Sequence, residues 1–197
     1  MNLVIIDYGA GNIKSLQFAF KRLGVDALLT HDSEKILAAD KVIFPGVGEA
    51  ASAMQKLNST GLNGLIPQLK QPVLGICLGM QLMCNYSEEG NTEGLKIFDT
   101  SVKHFDKEKV KVPQMGWNNI EELKTDLFKG VQEKEYMYLV HSYYAELNSD
   151  TIATTFYQLP FAAALNKDNF YGVQFHPEKS STAGEKILKN FLNINQQ

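Results

Sequence analysis

The chain has 197 residues, 44% hydrophobic and 21% charged, with 15 Gly and 6 Pro. That length suits one domain burying about 70% of its unfolded surface, and the composition excludes disordered, collagen-like and coiled-coil classes. A formal net charge of -3 leaves no basic footprint for nucleic acid.

The elements follow in chain order. Leu3 to Asp7 reads as a buried strand and Asn12 to Leu23 as a helix with Ile13, Leu16, Phe20 and Leu23 on one face. Gly24 ends that helix. A strand at Asp26 to Thr30, a short helix at Ser33 to Ala39 and a strand at Lys41 to Phe44 come next, the last stopped by Pro45 and Gly46. Helical patterns cover Glu49 to Leu57 and Leu62 to Leu69. Val73 to Ile76 is a strand, and Leu78 to Asn85 a helix. Alternating strands and helices predict an α/β fold, a mostly parallel sheet with helices on both faces.

Strands dominate the second half: Val102 to Phe105, Tyr136 to Val140, Tyr143 to Glu146, Ile152 to Phe156, Phe161 to Asn166 and Phe170 to Phe175. Asn166-Lys-Asp-Asn169 is a hairpin signal. A helix at Thr182 to Leu192 closes the chain, and Ser87 to Gly94 reads as an exposed polar loop. No repeat or linker divides the sequence, so residues 1–197 are expected to form a single domain. The nearly apolar run Val73 to Met80 falls far short of the roughly 20 residues of a membrane span. The N-terminus lacks the basic region of a signal peptide. The expectation is a cytoplasmic protein with no membrane or nucleic-acid partner.

Val73-Leu-Gly-Ile-Cys-Leu-Gly-Met-Gln81 carries the most chemistry. A strand runs into a helix with almost no turn, and Gly75 and Gly79 flank Cys77 at minus two and plus two. This is the pattern of a nucleophile elbow, in which strand and helix backbones pass too closely for side chains. The elbow lifts its side chain out at the carboxyl edge of the sheet, where such folds bind ligands, and the helix start favours a thiolate. The competing reading is a buried cysteine in a core strand. Cys84 has no such setting and is expected to pack as a small hydrophobe on the same helix. On one helix the two sulfurs would be too far apart to bridge. Two cysteines without a histidine cluster argue for a reducing compartment and no structural metal.

A thiol nucleophile needs a base, and the base needs an orienter. Of His31, His104, His141 and His176, the last fits best. It ends an alternating strand, and Pro177 stiffens a turn that brings Glu178 within reach of the imidazole. The competing reading is a strand-end histidine bonded to backbone. His31 and His104 fall in polar loops, and His141 follows a strand without an adjacent carboxylate. Phe44-Pro-Gly-Val-Gly48 ends another strand. Gly46 and Gly48 around Val47 let backbone N–H groups turn toward a developing oxyanion, although a plain loop or a phosphate-binding turn has the same look.

Together these pieces resemble the triad-type, class I glutamine amidotransferases. Pro-Gly-Val-Gly, Gly-Ile-Cys-Leu-Gly-Met-Gln and Gln-Phe-His-Pro-Glu occur in the family's order. More narrowly, Asp7-Tyr-Gly-Ala-Gly-Asn12 and Pro113-Gln-Met-Gly-Trp-Asn118 are similar to segments of the glutaminase subunits of imidazole glycerol phosphate synthases. The resemblance covers residue 3 to about 192 and implies a flavodoxin-like fold with added antiparallel strands. It implies Cys77 as nucleophile, His176 as general acid/base and Glu178 as its orienter. It puts the oxyanion donors at Leu78 and at Gly46, Val47 and Gly48. It assigns Gln81, Glu89 and the segment His141-Ser142-Tyr143 to the glutamine substrate. No cofactor and no metal are implied. A (β/α)8-barrel cyclase subunit is the implied partner in a heterodimer, consuming ammonia in histidine biosynthesis, with Trp117 and Lys179 as candidate contacts. One departure is Gln114, where the family usually has histidine. Alternatives are an ammonia-supplying subunit of another nucleotide or surface-sugar pathway, and a non-catalytic subunit of the same fold.

Overall fold

The computed structural model describes residues 1–9, 11 and 13–195. The first half gives β1 (Leu3–Ile6), α1 (Ile13–Arg22), β2 (Ala27–Thr30), α2 (Ser33–Leu37), β3 (Lys41–Gly46), α3 (Ala50–Thr60), α4 (Leu62–Leu65), β4 (Val73–Cys77) and α5 (Leu78–Leu82). The second half gives β5 (Cys84–Ser87), β6 (Thr92–Glu93), β7 (Phe98–His104), β8 (Gln114–Ile120), β9 (Glu135–His141), β10 (Tyr143–Ala145), β11 (Thr151–Tyr157), β12 (Leu159–Lys167), β13 (Phe170–Val173) and α6 (Ser181–Asn193).

The main sheet has the order β11-β12-β13-β4-β3-β1-β2. Strands β2, β1, β3, β4 and β13 are parallel, while β12 and β11 add antiparallel pairs at one edge. Alternation along β1 sorts the core. Leu3 and Ile5 join α1 and α6 on one face, and Val4 and Ile6 join α2 and α3 on the other. The sequence's parallel, doubly covered sheet is therefore found. The strands β10-β7-β5-β6 and the β8-β9 ribbon form two further, smaller sheets.

Several expected boundaries move. Strand β3 continues through Pro45 and Gly46, which pair with Ile76 and Cys77 of β4. Proline is tolerated there because pairing with β1 ends at Ile43, so no ladder partner waits for its missing N–H. The helix expected to reach Asn85 ends at Leu82, and Cys84 opens β5 instead. Residues 78 to 84 are buried throughout, so hydrophobic periodicity carried no signal of the helix end. Strand β7 starts at Phe98, four residues before the expected Val102, because the small polar Thr100 is buried there and donates to the Glu146 carbonyl. Strand β8, with Gly116, Asn118 and Asn119, has little strand propensity and is held by full-length pairing with β9. The expected loop at 87 to 94 holds a tight helical turn, Glu89–Asn91, and the short strand β6, with Ser87 and Thr92 buried. The predicted hairpin closes at Asp168 and Asn169, with Lys167 opposite Phe170. The helix start expected at Asn12 lies outside the described residues.

The tightest packing is at Gly79, where an added Cβ would stand 1.9 Å from the Phe44 carbonyl oxygen. Gly79→Ala should therefore cost more than about 3 kcal/mol, since backbone cannot yield as a side chain does. The exposed Gly64 has open space and helical neighbours. Gly64→Ala should be neutral or stabilise by up to about 1 kcal/mol. Urea unfolding of both variants checks the contrast, and similar midpoints would contradict it.

Candidate active site

Strands β3, β4 and β13 are parallel neighbours, so their carboxyl ends deliver three segments to one place. Strand β4 ends on Cys77, whose φ of 54° and ψ of -111° turn the chain directly into α5. Such a backbone costs roughly 1–3 kcal/mol and persists only where surroundings enforce it. Here the enforcement is close packing. Added Cβ atoms at Gly46 and Gly75 would meet Gly79 N at 2.5 Å and Met83 Cε at 2.3 Å. The elbow foreseen around Cys77 is present.

Beyond β13 the chain brings His176 over the elbow. Its ring is buried, and Nδ1 donates to Glu178 Oε1 at 2.9 Å. Burial would lower the imidazole pKa, but hydrogen bonds with Cys77 and Glu178 and the charges on both outweigh it and push it up to about 10. Cysteine, histidine and glutamate thus form one buried line. The His176 backbone is fixed as well. Its N–H donates to the Tyr138 carbonyl at 2.9 Å, and its carbonyl accepts from Ser180 Oγ at 2.7 Å.

A cavity of about 300 Å³ opens beside the sulfur. It is lined by Val47, Gly48, Cys77, Leu78, Gln81 and Glu89 from the first half of the chain and by Pro113, Val140, the segment His141-Ser142-Tyr143, His176 and Lys179 from the second. Gly46 does not line it. Gly46 pairs with Cys77 across the sheet, and its Cα packs on α5. Gly48 has φ +96°, a conformation favouring glycine, and Val47 is 39% exposed. The half-buried Glu89 accepts from Ala50 N–H at 2.8 Å at the start of α3. Its pKa is raised by burial, partly offset by that bond. Gln81 Nε2 donates to the Tyr143 carbonyl at 2.9 Å and to Gln174 Oε1 at 2.8 Å.

His141 was expected to follow a strand and, by the resemblance, to belong to the substrate-binding segment. It is buried among Phe105 and Phe161, and Nδ1 lies 2.7 Å from the Tyr143 carbonyl. A carbonyl only accepts, so Nδ1 carries the proton and Nε2 is bare. Burial lowers its pKa to about 4, the Tyr143 bond opposes the shift, and the His176 charge adds to it. His104, expected in a solvated loop, ends β7 and meets the Tyr143 ring edge-on at 4.7 Å.

Trp117 lies on β8 and is 53% exposed, not in the core. Its ring meets Tyr138 at 6.1 Å, and Lys179 Nζ stands 5.7 Å from the same Tyr138 ring. Gln174, Ser180, Tyr138 and Val140 were missed by sequence reasoning. Gln174 sits inside a motif read only for its histidine and glutamate, and the other three act through positions that only tertiary structure supplies. Gln114, the departure from the family pattern, is buried with Oε1 unpartnered opposite His141 on β9.

The model of the family described as glutamine amidotransferase class-I matches residues 4–194. A protein of Bacteroides fragilis strain YCH46, named imidazole glycerol phosphate synthase subunit HisH, is 59% identical over 196 residues, covering 98% of this chain and 100% of its own. One of the same name from Haemophilus influenzae strain Rd is 46% identical over 193 residues, covering 98% of this chain and 97% of its own. A crystal structure of a glutamine amidotransferase matches with a TM-score of 0.76 at 16% identity, covering 98% of both chains. At that identity the likeness shows the fold alone.

The two cavity histidines give opposite pH signatures. His141 is neutral when folded and takes up a proton more readily when unfolded, so its contribution is present above about pH 6.5 and is lost as pH falls through about 4. The loss is about 3 kcal/mol. Denaturant titrations from pH 7 to 4 should show wild type losing that much more stability than His141→Gln. Parallel curves would refute the neutral, buried assignment.

Proposed function

The chain belongs to the class I glutamine amidotransferases, and from that premise we propose how its residues divide the reaction. It is the glutaminase subunit of an imidazole glycerol phosphate synthase, acting in histidine biosynthesis. The observation that carries the residue assignment is the buried line Cys77, His176, Glu178 at the mouth of the cavity.

The Cys77 thiolate attacks the side-chain amide carbon of glutamine, forming a C–S bond and moving the carbonyl π pair onto oxygen. The N–H of Leu78 and one from the Gly46-Val47-Gly48 loop hold that oxyanion. Each such donor is worth about 100- to 1,000-fold in rate. His176 carries a proton at neutral pH and gives it to the departing nitrogen, which leaves as ammonia. Water then gives a proton to the neutral imidazole and attacks the thioester, and sulfur departs with its electron pair as glutamate forms. Glu178 orients the ring and stabilises its charged form. Gln81, Glu89 and the segment His141-Ser142-Tyr143 hold the amino-acid end of the substrate. The reaction balances without a cofactor.

The subunit works in a complex with a cyclase subunit. Ammonia released into water becomes ammonium and loses its nucleophilicity, so the two sites must join face to face. We take the docking face to be the β8-β9 ribbon with its neighbour β11, where Met115, Trp117, Tyr136 and Phe156 are each more than half exposed. Aromatic anchors of this kind dominate interfaces, and Lys179 reaches from the cavity toward the same face. A reducing cytoplasm suits the free thiols of Cys77 and Cys84.

Cys77→Ala should abolish synthesis from glutamine while the complex still works from ammonium salt. An assembled variant complex inactive with both nitrogen sources would refute the division of labour. For the interface, hydrogen exchange of free and cyclase-bound subunit should show protection near Trp117 and residues 176–181. Protection confined to α1 would put the partner on another face.

A further inference from the structure

Two glutamine side chains lie beneath the nucleophile, and their hydrogen bonds allow one arrangement. The Tyr143 carbonyl only accepts, so Gln81 must present its amide nitrogen there, at 2.9 Å. The second hydrogen of that nitrogen goes to Gln174 Oε1 at 2.8 Å. With its oxygen engaged, Gln174 turns its NH2 to the other side, and there Nε2 lies 3.6 Å from Cys77 Sγ. Gln174 is fully buried and Gln81 is 5% exposed. Neither amide can flip without breaking buried bonds. The Tyr143 carbonyl also accepts from His141, so this one oxygen anchors both the substrate-covering segment and the amide chain that ends at sulfur.

The value of an N–H pointed at sulfur depends on the sulfur's charge. Bonds to an ionised acceptor are about twice as strong as neutral ones. Besides its hydrogen bond with His176, this sulfur has a contact of a different kind. Sγ lies 3.9 Å from the Val140 carbonyl, a contact that requires S–H and is lost on ionisation. We propose that Gln174 is a positioning residue whose side-chain amide, oriented by Gln81, holds the Cys77 sulfur in its anionic form and in line with the cavity. The inference rests on the assignment of Cys77 as nucleophile. The same donor assists the second half of the reaction, when the C–S bond breaks and the electron pair returns to sulfur.

The test is the pH dependence of iodoacetamide alkylation in the full chain, mapped by mass to Cys77 and Cys84. Gln174→Met and Gln174→Leu both lack the donor and differ in shape. Both should move the midpoint of Cys77 alkylation upward by about one pH unit, a roughly tenfold loss of thiolate below the midpoint, and leave the alkaline plateau unchanged. Unmoved midpoints, or shifts that differ between the two shapes, would overturn the proposal and leave Cys77 as nucleophile intact. Wild-type Cys77 reacting no faster than Cys84 would instead remove the nucleophile assignment, and the proposal with it. If neither variant folds, the unaltered chain decides. The Gln174 side-chain amide resonance should titrate with the Cys77 alkylation midpoint, and a resonance that stays still would overturn the proposal.

Discussion

Helix α5 and strand β3 touch through bare backbone, at a separation that leaves the Gly79 position no room for a methyl group. That contact fixes the path of the chain between β4 and α5. Strand β4 lies in the sheet between β3 and β13 and cannot swing away. The turn must then be made within one residue, and that residue is Cys77, held at positive φ. The strain of about 1–3 kcal/mol is sustained by packing on both sides of the elbow. Gly46 and Gly75 belong to the same contact, because each lies against the α5 backbone. The result is a thiol held at a close contact of backbone on backbone and not by a loop.

The cavity's electrostatics follow from which partner each buried imidazole was given. His141 and His176 are both buried, and burial alone would leave both neutral. His176 has a carboxylate on Nδ1 and the Cys77 sulfur beside it, so its charged form wins. His141 has only a carbonyl on Nδ1 and a positive neighbour in His176, so its neutral form wins. His176 therefore keeps its proton between Cys77 and Glu178, and the second histidine stays out of that arrangement. One cavity thus holds a proton donor and an uncharged acceptor built from the same side chain.

The sequence made the cysteine–histidine edge of the cavity legible and hid the rest of its lining. Cys77 with its two glycines, and His176 followed by Pro177 and Glu178, announce themselves because their arrangement depends on local spacing. The parallel sheet was legible from the alternation of short apolar runs and amphipathic helices. The end of α5 was not, since residues on every side of it are buried and periodicity disappears. Strand β8 was not, because its asparagines and glycine are held by pairing with β9 and not by propensity. Gln174 was in plain view within its motif, yet its role depends on Gln81, 93 positions away. Long-range amide geometry of that kind leaves no periodic trace.

The cavity lies at a seam. The doubly wound first half supplies Cys77 and the loop after β3, and the strand-rich second half supplies Val140 to Tyr143 and the histidine–glutamate pair. The two meet where β4 pairs with β13, and within the second half β9 fixes the histidine. The Tyr138 carbonyl accepts from His176 N–H, and Tyr138 N–H donates to Ser180 Oγ, which in turn donates to the His176 carbonyl. His176 is thereby clamped at both backbone groups by one residue of β9 and its serine partner. Directly across the ribbon, Tyr138 pairs with Trp117, whose ring is half in solvent. One ring contact and one hydrogen bond separate that surface from the backbone of His176. The β8-β9 ribbon thus presents Trp117 to solvent on one strand and, at the paired residue of the other, holds the backbone of His176 beside Cys77.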